Sequence, residues 1–258
     1  MADIATLNGV AEDNVAILSG APDDTADTVN GVTWSHFALS AVHFDGTNDY
    51  LTGAPTFPDG TDGTFSMWVL PSTSGNGTTR RLWYNAGGYI SSTFNTSNIF
   101  RMIVHNSAAT ELCDMQSTAS YSDGAWHHIM CSWVTGTSSH MYIDNVDVKS
   151  LNNESSGTID YTRNWAFGAR ETGLEKWYGD VSQFWMHDTY IDLSSSGNRL
   201  KFYNDGPVDL GATGTNPTGG QPRLYFNNPL ATWQTNLGSG GGFTEIGTLT
   251  AASSSPTD

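Results

Sequence analysis

Between Ser40 and His187 the chain is a succession of short apolar stretches, nearly all closed by Gly, Asn, Asp or Ser. They read "SAVHFDG", "DYLTG", "TFSMWVL", "RLWYNA", "IFRMIVH", "TELCDMQ", "WHHIMCSWV", "SHMYIDN", "NWAFGAR" and "YGDVSQFWMH", separated by turns such as "STSGNGTT" and "VTGTSS". Several alternate with period two, the repeat of a strand with distinct faces. Many short strands, polar turns and almost no helical periodicity predict an all-β, antiparallel two-sheet sandwich. One short helix is expected near 194–204, in "LSSSGNRLKFYNDG", with Leu193, Leu200 and Tyr203 facing inward, Ser194–Ser196 as N-caps and Gly206 as the stop. Beyond it, "RLYFN" reads as one late strand, 227–242 as a long loop and 251–258 as a frayed, Ser-rich tail.

"DGAWHHIMCSW" (123–133) packs two histidines, a cysteine and two tryptophans into eleven residues. On a strand, His127 and His128 point to opposite faces, so they cannot share a metal ion. His127 and Cys131 share a face but stand roughly 13 Å apart. The segment therefore reads as a strand buried on both faces, with Trp126, Ile129, Cys131 and Trp133 in the interior.

The net charge is −16, from 26 acids and ten bases, of which only three are lysine. No Lys/Arg cluster exists to displace counterions, so nucleic acid is not an expected partner, and an acidic surface disfavours anionic membranes. Cys113 and Cys131 both lie in apolar runs and are expected as buried free thiols, although neighbouring strands could bring them together. The opening "MADIATLNGVAEDN" has neither a basic region nor a long apolar run, so a secretory leader is not expected. The sequons at Asn76, Asn95 and Asn153 then carry little weight.

Residues 1–33 differ from the rest. "IATLNGV" (4–10) is echoed by "VAILSGA" (15–21), aligning Ile4 with Val15 and Leu7 with Leu18. Two short apolar copies ending in Gly suit an assembly arm carried by Ile4, Leu7, Val15 and Leu18; a strand pair packed on its own domain is the competing reading. This divides the chain into an arm (1–33), a sandwich (34–250) and a tail (251–258).

"DGAWHHIMCSWVTGTSSHMYIDNVDV" resembles the central hairpin of laminin-G-like, concanavalin A-like jelly-roll domains. "VHFDGTNDYL" (42–51) resembles their opening hairpin and "GTFSMWV" (63–69) the next inner strand. "FGARETGLEKWYGDVSQFWMHDTYIDLSSSGNRLKFYNDG" (167–206) is similar to their closing section. The resemblance covers about residues 40–206 and implies a concanavalin A-like jelly roll. Two departures, Ser182 where such domains often carry an acid and Asn145 in the usual Asp-Gly turn, weaken the implied calcium site. The flanks "IATLNGVA" and "NLGSGGGFTEIGTLTAASSSPTD" resemble those of such domains in tailed-phage virion proteins. That implies a capsid-decoration, head-fibre or tail-associated protein made in the host cytoplasm, a homo-oligomer in contact with other virion proteins and, through the lectin-like fold, with host-surface glycans.

Catalytic patterns are missing. Glycoside hydrolysis needs carboxylates paired across the scissile bond, and the glutamates are scattered; Glu171 and Glu175 share one segment but flank a Gly in a hairpin tip. No nucleophile elbow, phosphate loop or His-Glu-x-x-His occurs, and "GSGGG" (238–242) lacks the Lys of a phosphate loop. The expectation is a protein that is not an enzyme and needs no cofactor. Calcium is conceivable at Asp45, Asn48 and Asp49, where an Asx turn is the alternative. Glycan-binding candidates are the aromatic and polar groups Trp83, Tyr84, Asn85 and Tyr89, and then Trp177 beside Arg170, Glu175 and Tyr178. Strand alternation would place about half of these aromatics in the core instead.

Overall fold

A computed structural model describes residues 39–257 and, before them, the backbone of four short strands. Contacts divide the chain into Met1–Ala38 and Leu39–Asp258, so residues 34–38 group with the first unit and the tail with the second. In the first unit, β1 (Thr6–Leu7) pairs antiparallel with β2 (Val10–Ala11), and β3 (Asp27–Val29) with β4 (Val32–Trp34). Ile4, Val15 and Leu18 lie outside the described residues, and Leu7 is described only by its backbone.

The second unit is the expected two-sheet antiparallel jelly roll. One eight-stranded sheet, the back sheet, runs β15 (Lys149–Glu154), β11 (Glu111–Ser120), β10 (Ile99–His105), β9 (Ile90–Phe94), β8 (Arg80–Asn85), β16 (Trp165–Phe167), β6 (Tyr50–Gly53) and β19 (Phe243–Ile246). The front sheet runs β14 (Val146–Asp147), β13 (Ser138–Ile143), β12 (His127–Val134), β7 (Asp62–Pro71), β17 (Tyr178–His187), β5 (Ala41–Asp45) and β20 (Thr250–Ala251), with β18 (Leu224–Phe226) beside β17. No helix among the described residues is long and apolar enough to cross a membrane.

Alternation decides what each strand contributes. In β12, Ile129, Cys131 and Trp133 enter the core between the sheets. Met130 points the other way, into a second cluster with Tyr142, Trp185, Leu193, Phe202 and Tyr225. The strand is thus buried on both faces. Trp126 departs from expectation: it precedes β12 and is only half-buried. In β17 a bulge interrupts the pairing between Ser182 and Trp185, with Gln183 at φ 45°. The inserted residue changes the phase, so Val181 and then Phe184 and Met186 all face the core. Cys113 and Cys131 are buried and free, and burial pushes the Cys113 thiol up to about 12.

The expected helix shrinks to α1 (Ser196–Arg199), and Ser195 caps it without a side-chain hydrogen bond. Leu200 is 48% exposed, and Phe202 fills the inward position. Ser and Gly are poor helix formers, and one turn cannot offset the cost of nucleation. The expected loop 227–242 contains a 3-10 turn (Leu230–Thr232) that drives Trp233 completely into the core. The tail is tied down in part, because Thr250 and Ala251 pair with β5 and Ser254 Oγ accepts the Trp126 Nε1 proton at 3.1 Å.

Candidate functional site

On the outer face of the front sheet, register brings together two residues that are 137 positions apart. β5 and β17 pair with His43 opposite Asp180, and β7 places Leu70 on the other side of Asp180. Since Val42, Phe44 and Val181 face the core, His43 and Asp180 must face outward. His43 Nδ1 and Asp180 Oδ1 are 2.5 Å apart; the Asp180 side chain is 6% exposed and that of His43 33%. Burial raises the Asp180 carboxyl above its usual range, and the bond to His43 offsets part of that.

This pair lies in a cleft of about 440 Å³, walled by Leu70, Ser72, Thr73 and Gly124 on one side and by Ala251 and Ser253 on the other. Gly179 is required in it: φ is +141°, and a Cβ would stand 2.3 Å from the Leu70 carbonyl. The Ser72 wall rests on Arg80, buried beneath it, which donates to Ser72 O and Ser122 Oγ, both at 2.9 Å. Burial lowers the Arg80 guanidinium to about 10. The cleft lining combines one carboxylate, one imidazole, three hydroxyls and small apolar patches, and contains no Lys or Arg. It can exchange several hydrogen bonds with a polyol, but it has no second carboxylate for glycosidic cleavage.

Three sequence candidates lie elsewhere and are structural. Trp83 is buried, stacked on Trp165 at 5.7 Å and edge-on to Phe65 at 5.3 Å. Trp177 is buried against Phe94 at 5.5 Å and beneath the Arg80 guanidinium. Asn85 is buried and holds the β8–β9 turn, donating to Asp160 O at 2.9 Å and accepting from Ile90 N at 2.7 Å. Buried rings have no face to offer a sugar, so these three are corrected to core and turn residues. Tyr84 is buried too, with Arg81 and Arg170 flanking its ring at 5.2 and 5.1 Å, and the half-buried Tyr89 is covered by Arg163 at 4.0 Å. Glu175 binds Arg81 at 2.6 Å. Tyr178 is the candidate nearest the cleft, edge-on to His43 at 5.8 Å. His43 and Asp180 were accessible to strand alternation as outward polar residues; their pairing was not.

A laminin G family profile, described as the concanavalin A-like lectin/glucanases superfamily, matches residues 45–194, more than half of the chain. The chain belongs to this superfamily. No curated protein matches it. Among solved structures, a Bacteroides ovatus protein assigned a carbohydrate-binding role is similar at 12% identity and TM-score 0.60, over 89% of this chain and 66% of that one. A heptameric pentraxin of Limulus polyphemus aligns at 14% identity and TM-score 0.48, over 60% of this chain and 78% of that one. Domains LG4–5 of the mouse laminin α1 chain align at 11% and TM-score 0.45, over 69% of this chain and 48% of that one. At these identities the likeness concerns the fold.

Within this superfamily domain, the opening hairpin does not present a calcium cage. Asp45 Oδ1 accepts from Thr47 N at 2.7 Å and Asn48 N at 3.1 Å, which is an Asx turn. Asp49 accepts from Asp45 N and from Thr248 N, and the Asn48 amide, turned so that its nitrogen faces them, bridges the two carboxylates at 3.1 and 3.2 Å. Burial works against the Asp45 carboxylate, but the backbone donors outweigh it and the net shift is downward. Ca²⁺ asks for six to eight oxygens; here the oxygens hold the hairpin and the C-terminal segment together. Ser182, where an acid was expected, is buried and donates to Ser40 O at 2.8 Å. Asp144 and Asn145 both have positive φ, 51° and 62°, which is a type I′ turn. Asn145 Oδ1 also accepts from Arg199 Nε at 2.6 Å, a bond that Gly could not supply. His127 lies between Asp144 (2.7 Å) and Asp123 (3.1 Å), while His128 bonds Ser66 at 2.8 Å.

Proposed function

We propose that this chain is a lectin-like recognition domain that binds a neutral glycan in the His43–Asp180 cleft and leaves its glycosidic bonds intact. The observation that carries this reading is the convergence of a mostly buried carboxylate, an imidazole and three hydroxyls in one cleft of sugar size. Asp180 accepts from sugar hydroxyls, while Leu70 and Ala251 meet C–H groups. With no Lys or Arg in the lining and a net charge of −16, uronic and sialic acids are disfavoured. The structural likeness to a protein assigned a carbohydrate-binding role supports the fold side of this reading. On a glycan array, binding is expected among neutral glycans, and Asp180→Asn should weaken it by about tenfold or more, the worth of one charge-assisted hydrogen bond. An array blank for neutral glycans, or Asp180→Asn binding as well as the parent, would overturn the assignment.

A second reading concerns display. We infer that residues 1–38 attach the lectin-like domain to a phage particle, as a capsid-decoration, head-fibre or tail-associated component. It is favoured by the separate first unit, the apolar echo at 4–21 and the virion-like flanks. The chain beginning at Leu39 is expected to melt within a few degrees of the full chain but to run as a monomer in light scattering, while the full chain forms a homo-oligomer. Oligomers of equal size from both chains, or unfolding of the shorter one, would remove the assembly role.

A further inference from the structure

His127 meets a carboxylate at each ring nitrogen. Nδ1 lies 2.7 Å from Asp144 Oδ2, and Nε2 lies 3.1 Å from Asp123 Oδ1. A carboxylate only accepts, so both contacts are hydrogen bonds only when both nitrogens carry protons, as in the imidazolium. The neutral ring has one N–H and must give up one partner. Asp144 is held in place, because its Oδ1 also accepts from His128 N at 2.8 Å. The Asp123 side chain is 61% exposed and stands farther from the ring. Water replaces the ring there at little cost, so the Asp123 bond is the one that is lost.

Asp123 opens a turn that bounds the cleft. The oxygen that meets His127 also accepts from Ala125 N at 2.9 Å, an Asx turn. Gly124, between them, has φ +83° and lines the cleft beside Thr73. Trp126, the last residue before β12, donates to Ser254 Oγ, next to Ser253 in the facing wall. One turn therefore touches both walls, and His127 ties it down.

We propose that His127 is a positioning residue for the cleft: its charged ring fixes the 123–126 turn, and as the ring loses its proton with rising pH the turn loosens and the cleft holds its glycan less tightly. That the occupant is a glycan rests on the function proposed above; the pH-dependent wall does not. The groups around the ring agree in sign. Burial opposes the charge on His127, but Asp144 and Asp123 outweigh it and the net shift is upward. Tyr121, edge-on at 5.2 Å, is kept protonated by burial and by Asp144. His128 is kept neutral by burial, β7 places Val69 opposite His127, and Arg80 of β8 directs its donors to Ser72 O and Ser122 Oγ. A group whose folded pKa is raised contributes fully below its unfolded value and loses that contribution as pH rises through the folded one. The turn is therefore fixed on the acid side and loosened on the alkaline side.

The test is pulsed hydrogen exchange of the 121–126 segment in the full chain, corrected for the intrinsic pH dependence of exchange. Protection is expected to fall by about tenfold or more between about pH 6 and pH 8.5, the worth of one charge-assisted hydrogen bond. Asp123→Asn should remove most of that fall, because an amide oxygen accepts from the charged ring and an amide nitrogen donates to the neutral one. His127→Gln cannot titrate and should show low protection at both pH values, with circular dichroism unchanged. On an array of neutral glycans the parent signal should drop by about fivefold or more over the same interval, the low end of coupling between two sites. His43 lies in the cleft itself, so the comparison that isolates His127 is parent against Asp123→Asn, whose signal should stay level. Protection that does not change with pH in the parent, or that falls equally in Asp123→Asn, overturns the proposal. Falling protection with a level glycan signal would strike the control of binding. An array blank throughout would remove the glycan reading and leave the exchange result to decide the wall.

Discussion

Replacing Trp233 by alanine is expected to remove about 3–5 kcal/mol of folding stability, the range for truncating a large core aromatic. Trp233 is fully buried, although it follows a turn whose Leu230 is 36% exposed. Its ring stacks on Phe226 at 5.3 Å and meets Phe167 at 5.6 Å and Phe44 at 6.1 Å. These partners come from β18, β16 and β5, so one side chain fills the space where both sheets and the C-terminal segment meet. Truncation leaves a cavity that rigid strands cannot close. The C-terminal path around it depends on the plug too: Thr56 N donates to Gly240 O, and Asn228 Nδ2 donates to Thr235 O at 2.9 Å. Urea denaturation measures the loss, with Leu230→Ala as a control expected to change stability by no more than about 0.5 kcal/mol. A Trp233→Ala midpoint equal to that of the control would show that the ring does not anchor the core.

Stability is also expected to fall steeply as pH drops from about 6.5 toward 4, starting well before ordinary carboxylates titrate. The cause is His128. It is fully buried, with Nε2 bonded to Ser66 Oγ, and its ring lies against Trp68 (4.9 Å) and Tyr203 (5.4 Å). Burial lowers its pKa to about 3, with Asp144 pulling weakly the other way. In this range the unfolded chain takes up a proton that the folded chain refuses. The stabilisation is therefore complete above about pH 6.5 and is lost as pH falls toward the folded value, at up to about 1.4 kcal/mol per pH unit.

Two other histidines bear on the sign. For His127, burial opposes the charge, but Asp144 and Asp123 prevail and the net shift is upward; its contribution is complete below about pH 6.5 and declines as pH rises through its folded value. His140 is lowered by burial and Lys149, so it adds to the acid loss from a more exposed position. His128→Phe keeps the stack and removes the titration. Urea midpoints across this range should then be much flatter for the variant than for the parent. Equal slopes would place the acid sensitivity elsewhere.

The two-faced burial of β12 was legible because apolar residues stand at both parities, Ile129, Cys131 and Trp133 on one face and Met130 on the other. The cleft was not. "VHFD" and "YGDVS" each show an outward polar residue, yet nothing local says that β5 lies beside β17. The glycan candidates illustrate the same gap in reverse. Trp83, Asn85 and Trp177 have the composition of a sugar platform, but composition does not say which face of β8 is inward, or that the Arg80 guanidinium lies over the Trp177 ring. Trp233 was missed because it stands alone among short and polar residues in "NNPLATWQTNLG", and one tryptophan has no periodicity.

The amino-acid sequence by itself determined the fold class. Alternation and turn chemistry act over a few residues, and they suffice to make strands, place Asp45 and Asn48 in an Asx turn and give β12 two buried faces. Only the tertiary structure decided where chemistry can occur. The meeting of His43 with Asp180 depends on register between strands distant in sequence. That register is set by the burial of both sheets together, through the bulge at Gln183 and the plug at Trp233, and no local stretch carries that information.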